Sequence, residues 1–145
     1  MKILILTTLI LMLTLGSCNK DEETNSALFQ TWEAKEFMSL ESVAYPKNEN
    51  NKILLTFEKT GSYQLKLDIN SCSGPFTLGK NNQLEIRSTA CTEACCDSKF
   101  SEKLATMLLR VESYSIEGTI LKLNVPQWGY IECEIFSSSL INPNP

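Results

Sequence analysis

The sequence predicts a mainly β (α+β) fold: a small antiparallel barrel or strongly curled sheet of about eight strands, with one helix packed on it or plugging it. Three observations carry this. Apolar residues alternate by two in short runs from Thr31 to Ile135, with turn residues between most of them. One stretch alone, after Asp97, changes to a helical period. The chain is also long enough for one packed core and too short for two domains.

The chain opens on MKILILTTLILMLTLGS, residues 1–17, one lysine followed by an apolar run, which is the layout of a secretory signal. From Ile3 to Gly16 there are fourteen residues, against about 20 for a bilayer span, so this segment is expected to be cleaved. Leu15-Gly16-Ser17 before Cys18 match the lipobox of bacterial lipoproteins, in which the cysteine becomes the acylated N-terminus. Several acyl chains at Cys18 anchor a protein to a membrane without crossing it. Residues 18–26 then read as a lipidated, polar tether, 27–137 as the β domain and 138–145 as a tail. Lys20-Asp21-Glu22-Glu23 also resembles the signal that sends some Gram-negative lipoproteins to the outer face of the outer membrane, and reads equally as plain solvated chain.

Composition excludes several functions. Without Lys2 the chain has 12 basic against 17 acidic residues, and no basic cluster tracks a phosphate backbone, so nucleic acid is not an expected partner. Histidine is absent, which removes Ser-His-Asp and Cys-His catalysis and every imidazole-dependent zinc site. No enzyme and no cofactor are expected.

The elements follow in order. Trp32 opens a strand over Thr31–Phe37, although Glu33 to Glu36 would also suit a helical turn. Ser39–Asn51, with Pro46, is a loop. Ile53, Leu55 and Phe57 share one face of Lys52–Glu58, and Tyr63, Leu65, Leu67 and Ile69 share one face of Ser62–Ile69; Lys59-Thr60-Gly61 joins them as a hairpin. Phe76 and Leu78 against Leu84 and Ile86 form a second hairpin through Gly79-Lys80-Asn81-Asn82. Phe100, Leu104, Met107, Leu108 and Val111 make a single helical stripe, with Asp97 expected as its cap. Tyr114 and Ile116, then Leu121, Leu123 and Val125, then Ile131, Cys133 and Ile135 form a closing meander, with turns at Glu117-Gly118 and Pro126 to Gly129.

Asn70–Phe100 holds four of the six cysteines. With Cys18 acylated, five thiols remain in a disulfide-forming compartment, and five cannot all pair. Cys133 is in phase with Ile131 and Ile135 and reads as a buried thiol. Cys91, Cys95 and Cys96 could suit Cu(I) as thiolates, but the spacing is not a usual chelate, so no metal is expected and disulfides are the plainer account. Adjacent Cys95 and Cys96 are poorly placed to bond each other. A bond from Cys72 to one of them is therefore expected, leaving Cys91 and Cys133.

Ile69-Asn70-Ser71-Cys72-Ser73-Gly74-Pro75-Phe76 resembles the Cys-Asn-x-Phe-x-Gly-x-Tyr motif of the META domain, found in HslJ-like envelope lipoproteins, with Asn70, Gly74 and Phe76 on its asparagine, glycine and last aromatic. Thr92-Glu93-Ala94-Cys95-Cys96 resembles its Thr-x-Met-Ala-Cys motif, with Thr92 and Cys96 on the outer positions. Ile69 stands at the family's first cysteine and Cys72 at its first aromatic, so a family disulfide does not transfer. The resemblance, over Lys52 to Phe136, implies a non-catalytic envelope lipoprotein with a binding or stress-related role and supplies no catalytic residues. Two rival readings are a lipocalin-like carrier of a small apolar ligand, suggested by Trp32 and the strand count, and an inhibitor of a secreted hydrolase such as lysozyme, acting through the Ser39–Asn51 loop.

The anchor is directly testable: Cys18→Ala is expected to release the protein from membranes or to block its maturation, read by fractionation and by the acyl mass on the wild-type N-terminus.

Overall fold

The computed structural model describes residues 25–137; the signal segment, Cys18, the export-like run and the tail from residue 138 lie outside the described residues. In chain order the elements are β1 (Thr31–Ser39), β2 (Leu54–Phe57), β3 (Ser62–Lys66), β4 (Ser71–Leu78), β5 (Leu84–Ile86), β6 (Ala90–Cys91), α1 (Lys99–Leu108), β7 (Ser113–Glu117), β8 (Ile120–Val125) and β9 (Gly129–Ile135). A helical turn at 25–28 precedes them. The mainly β class with one late helix is what alternation and the single helical stripe predict.

The strands lie in the order β5-β4-β3-β2-β1-β9-β8-β7, with antiparallel neighbours, and β6 beside β4. The two ends of this sheet meet. Gln83 bridges Ser113, Leu84 N–H donates to the Glu112 carbonyl at 3.1 Å, and Tyr114 N–H donates to the Asn82 carbonyl at 3.0 Å. These bonds nearly close a barrel and remove most of the free edge that a flat sheet would expose.

β1 shows why charged residues can form a strand. Trp32 and Ala34 point inward, and the register with β9 shifts between Ala34 and Glu36. That bulge inverts the side-chain phase, so Phe37 rather than Glu36 packs against the core. The displaced Lys35 pairs outside with Glu33 and Glu134 at 3.0 and 3.4 Å. The strand therefore runs two residues past its expected end.

β5 and β6 are two pieces of one track along β4. Phe76 faces Ile86 and Cys72 faces Cys91, with the break lying opposite Gly74 and Pro75. A Cβ at Gly74 would collide with the Ser88 carbonyl and stand 3.0 Å from Tyr63 Cε1, so only glycine admits this close approach. Tyr63 Oη donates to that same carbonyl at 3.2 Å.

The interior is solid. Trp32, Tyr63, Tyr114, Phe57, Leu55, Leu65, Leu121 and Leu123 are buried inside the sheet, and Phe100, Leu104, Met107 and Leu108 of α1 complete the same cluster. Two polar handles tie the 25–28 turn to this core: Trp32 Nε1 donates to the Leu28 carbonyl at 3.0 Å and Tyr114 Oη donates to Asn25 at 2.7 Å. The fold thus includes Asn25, two residues before the boundary that composition suggested. Among the described residues no helix is long and apolar enough to cross a membrane.

Two expectations are corrected. Asp97 does not cap α1: Ser98 does, its hydroxyl accepting from Ser101 N–H at 3.2 Å, because Asp97 is engaged elsewhere. Ile69 is 56% exposed, because β3 ends at Lys66 and the chain turns before the alternation would return it to the core.

Leu104 is fully buried, so Leu104→Ala is expected to cost about 2 to 5 kcal/mol, measured by urea unfolding; a loss below about 0.5 kcal/mol, the range of surface substitutions, would place that face outside the core.

Candidate functional site

The cysteine-rich stretch begins at the turn between β3 and β4, where Leu67 N–H donates to the Asn70 carbonyl at 2.9 Å. Asn70 is a buried polar residue, 8% exposed, and its amide is fully used. Its oxygen accepts from Thr92 Oγ1 and from Ala94 N–H, both at 2.8 Å. Its nitrogen donates to the Ala94 carbonyl and to Asp97 Oδ2, both at 2.7 Å. Asp97 Oδ1 in turn accepts from the N–H groups of Ile69 and Asn70 at 2.8 and 3.2 Å. Two donors and two acceptors are required at one position, which asparagine supplies and aspartate does not.

Asp68 extends the clamp to the helix. Its Oδ2 accepts from Ser98 N–H at 3.1 Å and from the hydroxyls of Ser98 and Ser101, both at 2.5 Å. Burial would raise the Asp68 pKa, but the Ser101 and Ser98 hydroxyls and the Ser98 amide outweigh it and hold the carboxyl below its ordinary 3.8. Asp68 and Asp97 together fix the α1 N-terminus, where negative charge is favourable.

The remaining motif residues are also structural. Phe76 is buried and meets Phe57 edge-on at 5.1 Å, and Gly74 makes the close approach to Ser88. The cysteine pairing differs from expectation. Cys72 bonds Cys91, directly opposite it in the β4–β6 pair, and Cys95 bonds Cys96. The broken second piece of the β5 track, invisible in the alternation, brings Cys91 to Cys72 and leaves the adjacent pair to each other. Cys133 is a free, buried thiol, and burial pushes its pKa up to about 12. Among the described residues no three His, Cys, Asp or Glu side chains are arranged to hold a metal ion.

A second cluster lies at the barrel end reached by the close of β1, and sequence reasoning missed it. Phe37 stacks on Phe100 at 4.3 Å and meets Trp128 and Tyr45 edge-on at 5.5 and 5.7 Å. Lys103 pairs with Glu41 at 3.0 Å and lies over the rings of Tyr45 and Trp128 at 4.9 and 5.3 Å. Tyr45 Oη donates to Glu41 at 2.5 Å. Tyr45, then the indole of Trp128, then Lys103 lower the Glu41 pKa to about 2, although Trp128 Nε1 completes no hydrogen bond of good geometry. Phe100 N–H donates to the Pro46 carbonyl at 3.2 Å, and Lys47 Nζ donates to the Ala34 carbonyl at 2.6 Å. These bonds hold the loop that joins β1 to β2 against α1. Beside this base Leu40 and Val43 of the loop are 85 and 60% exposed, and Met38, on the opposite face of β1 from Phe37, is 46% exposed; these are three of the five large exposed apolar residues among those described. Such an arrangement can present a firm apolar contact surface.

The family model of the META domain matches residues 11–128. No curated protein matches the chain. Two solved structures share the fold: a protein from Burkholderia xenovorans determined by NMR, 14% identical, covering 77% of this chain and 86% of that one with a TM-score of 0.64, and a crystallised protein of the DUF4847 family from Bacteroides vulgatus, 14% identical, covering 72% and 91% with a TM-score of 0.52. At such identity the likeness is one of fold.

The lowered Asp68 pKa has a sign. Its stabilising share is fully present above the unfolded value, near 3.8, and is lost as the pH falls through the lower folded value. Asp68→Asn is therefore expected to reduce stability at pH 7 and to flatten its decline below about pH 4, measured by urea unfolding across pH; an unchanged acid slope would remove Asp68 from the clamp's electrostatics.

Proposed function

Because the chain belongs to the META domain family, we propose that it is a membrane-anchored, non-catalytic envelope lipoprotein that recognises a partner with one end of its barrel. The observation that carries this is the exposure of Leu40 and Val43 on the loop held beside the Phe37, Tyr45, Phe100 and Trp128 cluster. A loop held in one conformation loses little entropy on binding, which favours recognition. The lipobox before Cys18 supports the anchor.

The lipocalin-like carrier reading is weakened by the packing. Trp32, Tyr63 and Tyr114 occupy the space that a ligand would need, and α1 closes over it. The hydrolase-inhibitor reading keeps a place as a special case, because Leu40 and Val43 project from the loop it would use and the acidic balance of the chain, −4, would steer it toward a basic target.

Photo-crosslinking in living cells tests the proposal. A photoreactive residue at position 43 is expected to give a discrete protein adduct, one that Leu40→Asp abolishes and that a photoreactive residue at Gln64, exposed on the outer face of β3, does not give. Equal labelling from both positions, or none from position 43, would sink the recognition surface.

A further inference from the structure

The cysteines of the described domain fall into three environments. Cys133 is wholly buried with its pKa pushed up to about 12, which leaves it almost no thiolate at neutral pH. Cys72 is 3% exposed and its bond to Cys91 lies within a strand pair, so opening that bond frees two strands. Cys95 and Cys96 are both exposed, on the loop between β6 and α1. That bond staples no two elements together, since its partners are already neighbours in the chain.

We propose that Cys95–Cys96 is a thiol-exchange site for dithiols, distinct from the structural Cys72–Cys91 bridge. Exchange requires a thiolate to approach a sulfur from outside, and this is the bridge in which both cysteines are exposed, whereas in the other Cys91 is exposed and Cys72 is buried. In the reaction one thiolate of an incoming dithiol attacks one sulfur of the pair. The S–S bond breaks, and the other cysteine leaves as a thiolate and takes up a proton. The second thiol of the reagent then attacks the mixed disulfide, releasing the first cysteine. Two electrons and two protons move to the protein: the dithiol becomes a disulfide, and Cys95 and Cys96 both become thiols. The reverse reaction returns the two electrons and two protons to the reagent and re-forms the pair.

The backbone gives this exchange a route inward. Cys96 sits at φ 91°, a region that residues with a Cβ rarely occupy. On one side of the pair Ala94 grips Asn70 by both its N–H and its carbonyl, and on the other Asp97 holds the same amide. Opening the S–S bond frees Cys96 to leave that conformation, and the displacement falls on the Asn70 clamp and the start of α1.

The test equilibrates the folded, oxidised protein in dithiothreitol buffers of stepped reduced-to-oxidised ratio, quenches in acid, alkylates and maps the peptides. Cys95 and Cys96 are expected to become alkylated together at a ratio at least about tenfold lower than Cys72 and Cys91 require, a separation of about 30 mV. The Ala94 amide is expected to exchange hydrogen faster once the pair alone is reduced. Crossover of all four cysteines at one ratio, earlier opening of Cys72–Cys91, or alkylation of Cys95 and Cys96 without reductant would overturn the proposal. The Cys95→Ser, Cys96→Ser double variant is expected to fold and to keep the Cys72–Cys91 crossover unchanged; its failure to fold would make the pair a structural bridge and overturn the proposal equally.

Discussion

The side-chain amide of Asn70 is the constraint from which the rest of this structure follows. A strand pair on one side and a helix on the other must be joined through a loop that has no ladder of its own, and buried backbone groups there need partners. Asn70 supplies them for Ala94, orders Thr92 and hands the chain to Asp97. Because both donors and both acceptor positions of the Asn70 amide are paired, this part of the network is rigid; a half-satisfied amide would be worse than an apolar contact.

The covalent bond beside it acts in the same place. Cys72 and Cys91 close a span of 19 residues, which on chain-entropy grounds contributes about 3 kcal/mol. Residues 70–72 are thus fastened to residues 91–97 by a polar clamp and a disulfide together. With that seam made, Asp68 meets Ser98 and Ser101, and α1 is set with Leu104 and Leu108 facing the core. The helix fills the barrel and completes its core.

Much of this was legible in the residues. Alternation located the strands other than β1, which was read from Trp32 with a helical turn left open, and β6, and the stripe from Phe100 to Val111 located the helix, because these signals are local. What was not legible depended on distance. β6 is two residues long, too short for periodicity to register, and without it Cys91 had no visible partner. Asp97 looked like a cap because aspartate before an apolar stripe usually is one, and its diversion to Asn70, 27 residues away, leaves no mark in local sequence. The exposed loop was readable as a loop, but Glu41 and Lys103 are 62 residues apart, and nothing in either neighbourhood announces the pair. Trp128 looked like a turn residue and is instead buried at the base of that cluster.

The motif that resembles the META domain takes on a physical meaning in this light: Asn70, Gly74, Phe76 and Thr92 are a clamp, a close approach, a core ring and a clamp partner, each serving the fold. The most direct test of that account is a double-mutant cycle on Asn70→Ala and Asp97→Ala, measured by urea unfolding. If the amide is the hub, the two substitutions are coupled by about 1 kcal/mol or more, within the range for residues sharing one network. Losses that add to within about 0.3 kcal/mol would contradict it, and would mean that Asn70 and Asp97 hold their elements independently.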